Sequence, residues 1–230
     1  MWFKHHSLIT DIGATTQEAR DISNKSRDIV SQIIKGNTLE DGVKKRCIIA
    51  TGDPSFKDLI VFKHNPIKEG IKAIKQSCTI YTDIRMVQVG IVKKGHACKI
   101  ECALDYGGNI AEEKQITRTS AGFLALGEQL NCNIIIIGNA PSAAITINDM
   151  IKQEIIKPSL IIATPVGFVN ASNSKEYIRN LSIPSITSIG TRGGTPIAVA
   201  IINEIINRIV PFHIENSPFS TSMVGSERRL

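Results

Sequence analysis

Three loops in the second half of the chain carry the residue types best suited to binding an anion. They are residues 138–142 (GNAPS), residues 164–169 (TPVGFV, running on to SKE at 174–176) and residues 190–195 (GTRGGT). Each loop follows a short apolar run and precedes a helical pattern, as at the carboxyl ends of strands in a parallel α/β sheet. Backbone N–H groups and positive helix ends meet there, so we expect the active site at this edge.

The glycine-rich loop at residues 190–195 is the most suggestive of the three. Gly193 and Gly194 allow the backbone to approach a ligand closely, and Arg192 offers a forked, charge-assisted hydrogen bond to a carboxylate or phosphate. An ordinary strand-to-helix turn with an exposed arginine explains the same spacing. The loop lacks the GxGxxG pattern, so it gives little support to dinucleotide binding.

Other polar residues at such junctions allow two interpretations each. Asn139 can bind a polar ligand edge or simply serve its turn. Lys175 and Arg118 each stand where a helix is expected to begin, which favours a nearby anion, although a solvated cation is the alternative. Asp83 is expected to cap a short helix, with a catalytic carboxylate as the other possibility.

Histidine and cysteine give no recognisable catalytic or metal motif. The five histidines stand in no signature context for Ser-His-Asp catalysis. The five cysteines form no CxxC pair and show no zinc-type spacing with histidine, so we expect reduced thiols and no metal site. These cysteines are Cys47, Cys78, Cys98, Cys102 and Cys132.

Composition frames the fold and the partner. The 230 residues, 42% hydrophobic and 5% aromatic, fit one α/β domain. The net charge of +6 suits an anionic partner, but it is diffuse, so nucleic-acid binding is not expected. No apolar run has the length of a membrane helix, and the amino terminus lacks a signal-peptide core, so we expect a cytoplasmic protein that does not enter a membrane.

The pattern of apolar runs predicts a single α/β domain with a mainly parallel sheet flanked by helices, a Rossmann-like three-layer arrangement. The domain is expected to occupy residues 1–210, followed by a flexible tail at 211–230. The last helix is expected to be capped by Thr195, with Pro196 in its first turn. The expected strands are residues 47–50, 59–62, 79–81, 98–103, 134–137, 160–163 and 185–189. The first three strands indicate βαβ units, because apolar residues recur at helical spacing between residues 59–62 and 79–81.

Taken together, several phrases of the sequence resemble the precorrin-8X methylmutase family, which includes the cobalt-precorrin-8 methylmutases. The phrases are Tyr81-Thr82-Asp83 with Met86 and Gly90, Thr117-Arg118, residues 138–141, residues 165–169 with 174–176, and Gly190 with Gly193-Gly194. The resemblance implies an isomerase of cobalamin biosynthesis that moves a methyl group from C11 to C12 of a tetrapyrrole macrocycle. It implies no added cofactor and a homodimer.

The resemblance also implies the ligand and the residues that face it. The substrate is precorrin-8X or cobalt-precorrin-8, and the product is hydrogenobyrinate or cobyrinate. Carboxylate arms on this macrocycle agree with the basic charge and the anion-binding loops. The residues on or beside positions facing the macrocycle are Ser26, Asp83, Met86, Arg118, Asn139, Ala140, Pro141, Lys175, Arg192, Gly193 and Gly194.

One position departs from the family. The family has a histidine, thought to protonate a ring nitrogen, where residues 46–51 (RCIIAT) place Ile49. Isoleucine donates no proton, and loss of a general acid lowers a rate by about 10² to 10⁴. His64 and His96 are the candidate substitutes. The chain is therefore a slow mutase, a mutase with a relocated acid, or a non-catalytic corrinoid-binding paralogue. An unrelated sugar or nucleotide phosphate enzyme is a further alternative.

Overall fold

The structure is a computed structural model that describes residue 14 and residues 16–209. The expected tail at residues 211–230 lies outside this part of the chain. The strands form one six-stranded sheet in the order β1-β6-β5-β4-β2-β3, with β1 antiparallel and all other pairs parallel. They are β1 (Ile60–Lys63), β2 (Ile80–Thr82), β3 (Ile100–Cys102), β4 (Ile134–Ile137), β5 (Leu160–Ala163) and β6 (Ser185–Ser188).

Helices cover both faces of the sheet, so the expected three-layer α/β fold is confirmed. Helices α1 to α5 and α10 lie on one face, and α7 to α9 lie on the other. None of the helices within the described residues combines the length and apolar content needed to span a membrane. The helices are α1 (Gln17–Ile33), α2 (Leu39–Thr51), α3 (Phe56–Leu59), α4 (Pro66–Lys75), α5 (Arg85–Gly90), α6 (Gly108–Lys114), α7 (Arg118–Leu126), α8 (Pro141–Lys152), α9 (Ala171–Arg179) and α10 (Thr195–Asn207).

The central strand β4 shows how the sequence specifies two cores. Its four isoleucines are all fully buried. Ile134 and Ile136 pack into the core on the α10 side, whereas Ile135 and Ile137 pack into the core on the α8 side. Successive strand residues point to opposite faces, so an uninterrupted apolar run is the pattern of a strand covered on both sides.

Residues 47–50 are not a strand, because they belong to α2. A capping box starts this helix: the Thr38 hydroxyl accepts the Asp41 backbone N–H, and the Asp41 carboxylate accepts the Thr38 backbone N–H. Gly52, with a φ of 67°, ends it in the left-handed conformation. Cys47 lies on the buried side of α2, which packs against α10. A short apolar run does not distinguish the buried side of a helix from a buried strand.

The βαβ expectation for the first strands is also wrong. Strand β1 lies at the end of the sheet and pairs antiparallel with β6, so it is not a neighbour of β2. The register pairs Lys63, the last residue of β1, with Ser185, the first residue of β6. The chain therefore leaves β1 at the amino edge of the sheet, opposite the edge where the parallel strands end.

Two helix starts differ from expectation. Thr195 is the first residue of α10 rather than its cap, and Gly194, with a φ of 108°, precedes the helix without a side-chain cap. Helix α9 begins at Ala171, so Lys175 lies in its interior. Pro196 stands in the first turn of α10, as expected.

Candidate active site

Asp83, directly after β2, holds the loop that follows β4. Its carboxylate is fully buried and accepts three backbone N–H groups: Gly138 at 3.1 Å, Asn139 at 2.8 Å and Ala140 at 2.8 Å. Burial raises the pKa of Asp83, and the three N–H donors act in the opposite direction. Asp83 does not cap α5, whose first turn follows Ile84 without a side-chain cap. The carboxylate instead fixes the loop backbone.

With its backbone held in this way, the β4–α8 loop presents Asn139 to solvent, while Gly138 and Ala140 are buried. Pro141 starts α8 without needing an N–H partner. This arrangement leaves the Asn139 side chain free to meet a ligand at the carboxyl edge.

The glycine turn between β6 and α10 rests directly on the end of β5. The Gly194 N–H donates to the carbonyl of Thr164 at 2.6 Å. A Cβ added to Gly193 would overlap that same carbonyl, and Gly193 has a φ of 156°. Glycine is therefore required here for close approach, which brings the β5–α9 and β6–α10 loops together.

Lys175 lies beneath this turn and is not in contact with solvent. Its side chain is fully buried, and its ammonium donates to the Arg192 carbonyl at 2.8 Å and to the Ser188 hydroxyl at 3.1 Å. Desolvation, with a smaller contribution from Arg179, lowers the pKa of Lys175 to about 8. In this conformation Lys175 supports the turn from inside and does not reach a ligand.

The side chain of Arg192 reaches across to the segment after α2. It forms an ion pair with Asp53, donates to the Ser55 hydroxyl at 2.6 Å and lies over the Phe56 ring at 5.1 Å from its centroid. The Arg192 side chain remains 46% exposed. Sequence reasoning missed these three partners, because a DPSF turn carries no signal that it receives an arginine from nearly 140 residues away.

Gly138 lies where the β4–α8 loop meets α5 and α10. A Cβ at this position would lie 2.6 Å from Val87 Cγ2 and 3.2 Å from the Thr195 Cα. The β4–α8 loop therefore packs against both α5 and the start of α10. Met86, next to Val87 on α5, is 64% exposed at this junction.

Arg118 also lies at this edge. The Thr117 hydroxyl caps α7 by accepting the Ser120 N–H, and it shares a 2.8 Å hydrogen bond with Ser142 at the start of α8. Arg118 is exposed, and one guanidinium nitrogen donates to the Leu104 carbonyl at 3.2 Å. The starts of α7 and α8 are thus side by side, with a cation next to them.

Exposed apolar side chains occur on the elements that form this edge. They belong to α5 and to the loops after β5 and β6: Met86, Val89, Phe168, Val169 and Ile189. Phe168 is 96% exposed, which is unusual for a large apolar side chain. Grouped apolar exposure marks a ligand or partner surface. We call these five residues the apolar rim.

Ser26 lies on α1, and the two candidate histidines lie away from the loops. The Ser26 hydroxyl donates to the Ile22 carbonyl within α1. His64 follows Lys63, and His96 precedes β3, so both histidines lie at the amino edge of the sheet. Neither is placed to donate a proton at the carboxyl edge.

Ile49, by contrast, lies near the carboxyl edge. Helix α2 runs antiparallel to α10: Gly42 abuts Glu204 late in α10, and Asp53, just after α2, pairs with Arg192 just before α10. Ile49 is in the last turn of α2, half-buried against the core on the α10 side. Its helix end is therefore attached to the glycine turn through Asp53.

Similarity to known proteins agrees with this geometry. The family model "CbiC: Precorrin-8X methylmutase" matches residues 21–208. A cobalt-precorrin-8 methylmutase of Methanocaldococcus jannaschii is 42% identical over 206 residues, covering 85% of this chain and 96% of the relative. One of Leptospira interrogans is 37% identical, covering 83% and 94%.

A solved structure agrees as well. The precorrin-8X methylmutase of Thermus thermophilus superimposes with a TM-score of 0.75 at 28% identity, covering 83% of this chain and 98% of that one. These matches set aside the alternative of an unrelated sugar or nucleotide phosphate enzyme. The chain belongs to the precorrin-8X methylmutase family.

Proposed function

We propose that this protein binds precorrin-8X or cobalt-precorrin-8 at the carboxyl edge of its sheet and moves a methyl group from C11 to C12 of the macrocycle. Family membership carries the reaction class, an isomerisation in cobalamin biosynthesis. The observation that supports the site is the apolar rim beside exposed polar groups of Asn139, Arg118 and Arg192. A tetrapyrrole has an apolar ring and carboxylate arms, and such a surface complements both.

In this proposal the loops act as a preorganised surface. Asp83 fixes the loop that presents Asn139, and Lys175 fixes the turn that presents Arg192 and the glycines. Preorganised donors do not have to be ordered when the ligand binds, so they bind a carboxylate more effectively than mobile side chains do. Any cobalt is part of the substrate.

A second candidate is a non-catalytic corrinoid-binding paralogue, and Ile49 is the observation that favours it. The resemblance places Ile49 at the position of the family histidine, and both histidines in residues 16–209 lie at the amino edge of the sheet. Both candidates require the same binding surface. Only the mutase requires a proton donor at this edge.

Mixing the purified protein with precorrin-8X, and separately with its cobalt form, distinguishes the two. Product absorption developing over multiple turnovers supports the mutase. A stoichiometric spectral change without conversion supports the binding paralogue. No spectral change with either compound would contradict both.

We also propose a cytoplasmic homodimer. The resemblance motivates it, and Ile22 and Ile29, which are 61% and 54% exposed on α1, offer apolar surface for an isologous contact. Light scattering should give about twice the 25.1 kDa chain mass. A monomeric mass at micromolar concentration would overturn the dimer.

A further inference from the structure

Two cysteines occupy matching positions at the amino edge of the sheet, away from the proposed active site. The parallel register of β2 and β3 pairs Ile80 with Ile100, and Cys78 and Cys98 each lie two residues earlier. The Ile80 N–H donates to the Lys99 carbonyl at 2.8 Å, so the two backbones stay adjacent up to the residue that follows Cys98. Neighbouring strands are about 4.8 Å apart, within the range of about 4.4 to 6.8 Å between the Cα atoms of a disulfide.

Both side chains point to the same face of the sheet. Cys78 and Ile80, and likewise Cys98 and Ile100, pack against the core on the α10 side. Residues two apart along a strand share a face, so this agrees with the register. Each cysteine is half-buried, so a small oxidant can reach it.

The two thiols affect each other's pKa. The interaction with Cys78 is the main cause that lowers the pKa of Cys98, to about 7. The same interaction, with burial, raises the pKa of Cys78. The Cys98 thiol donates to the Ile74 carbonyl at 3.6 Å, so this bond is lost when the thiolate forms. The lowered pKa makes Cys98 the candidate nucleophile, and Cys78 is its adjacent partner.

His96 stabilises the segment that carries Cys98. Its Nε2 bonds to the Val92 carbonyl at 2.7 Å, which requires the proton on Nε2, and its Nδ1 accepts the Cys98 backbone N–H at 3.1 Å. This fixes the Cys98 backbone beside β2.

We propose that Cys78 and Cys98 form a peroxide-sensitive dithiol that closes to an intramolecular disulfide. The Cys98 thiolate attacks one oxygen of hydrogen peroxide, which breaks the O–O bond, gives a sulfenic acid and releases hydroxide that takes up a proton. The Cys78 sulfur then attacks the sulfenic sulfur and displaces water. In sum, two thiols are oxidised and one peroxide is reduced to two waters.

The other cysteines provide internal controls. Cys47 and Cys102 are fully buried, whereas Cys132 is exposed. Exposure alone therefore predicts that Cys132 reacts first. The proposal predicts instead that Cys98 reacts faster than Cys132 at neutral pH, because the adjacent Cys78 lowers the pKa of Cys98.

The test treats the reduced full-length protein with equimolar hydrogen peroxide at pH 7, blocks free thiols with an alkylating agent and maps the peptides by mass spectrometry. We expect one reducible Cys78–Cys98 crosslink within a single chain, with Cys132 still alkylated. Reduction should restore alkylation of both cysteines. A Cys98 that remains alkylated, or a crosslink through Cys132 alone, would overturn the proposal.

Single variants test the order of attack. In Cys78→Ser, Cys98 has no resolving partner, so a sulfenic acid should accumulate that dimedone traps. In Cys98→Ser, Cys78 should resist peroxide at this dose. Equal trapping in both variants would contradict the assigned nucleophile. Unfolding curves matching the wild type establish that each variant is folded, and Cys132→Ser is the matched control that should leave the crosslink intact.

Discussion

Asp83 and Asn139 are separated by 56 residues, yet the buried carboxylate of Asp83 accepts the Asn139 backbone N–H at 2.8 Å. Asp83→Asn replaces a carboxylate that accepts three backbone N–H groups with an amide. The NH₂ group of this amide would point at backbone N–H donors that it cannot accept. We expect the free energy of unfolding to fall by about 2 to 3 kcal/mol, measured by urea denaturation.

A matched substitution is Asp105→Asn, which removes a carboxylate paired with the exposed Arg85. A surface pair contributes about 0 to 1 kcal/mol, so this variant should remain close to the wild type. Equal effects at the two positions would contradict the structural role of Asp83. Corrinoid binding should also weaken in Asp83→Asn, because the Asn139 loop loses its support.

Arg192 is expected to act through its contact with Asp53. Arg192→Ala and Asp53→Ala should each weaken corrinoid binding by about fivefold, or about 1 kcal/mol. The double variant should bind no more weakly than the weaker of the two single variants. Isothermal titration measures the affinity of each variant. Lys57→Ala, an exposed cation in the same segment, is the control. If only Arg192→Ala weakens binding, the guanidinium binds the ligand without needing Asp53 to position it.

The fold was largely predictable because its determinants are local. The apolar runs of β4 and β5 and the glycine turn before α10 each identify an element within a few residues. Residues 47–50 were mistaken for a strand because four apolar residues fit both periods, and the deciding signals, Thr38 and Gly52, lie at the two ends of the helix.

The site was predictable in place but not in detail. The loops could be located by their glycines and prolines, and the structure brings Asp83, Asn139 and Gly194 to one edge. The roles of Asp83 and Lys175 could not be predicted, because their partners are groups 13 to 57 residues away. A sequence shows that a lysine is present but not that a turn folds over it.

The buried Lys175 predicts a pH dependence of stability. Its folded pKa of about 8 is below the ordinary value of 10.5, so between these values the unfolded chain binds the proton that the folded chain has released. The free energy of unfolding should therefore rise with pH in this window. Lys175→Met lacks this contribution, so its stability relative to wild type should decline from pH 8 to pH 10 in urea titrations. A constant difference would show that Lys175 titrates normally.

The last prediction concerns Ile49, in the turn of α2 attached to Arg192 through Asp53. If the chain kept the family's pocket but not its acid, Ile49→His should raise the rate of precorrin-8X conversion about tenfold or more. An imidazole with a pKa near about 6.5 donates only when protonated, so the gain should disappear as pH rises through that value. Stopped-flow absorbance at pH 5.5 to 8 measures it.

The control is Ile49→Asn, which introduces polarity without a proton donor that titrates in this range, and it should give no gain. If the wild type already turns over and Ile49→His adds nothing, the donor lies elsewhere at the carboxyl edge. The mutase assignment fails if wild type and Ile49→His both bind the macrocycle with unchanged affinity and neither converts it. In that case the pocket accepts the ligand but does not promote methyl migration, even with the acid restored. The binding paralogue would then describe this chain.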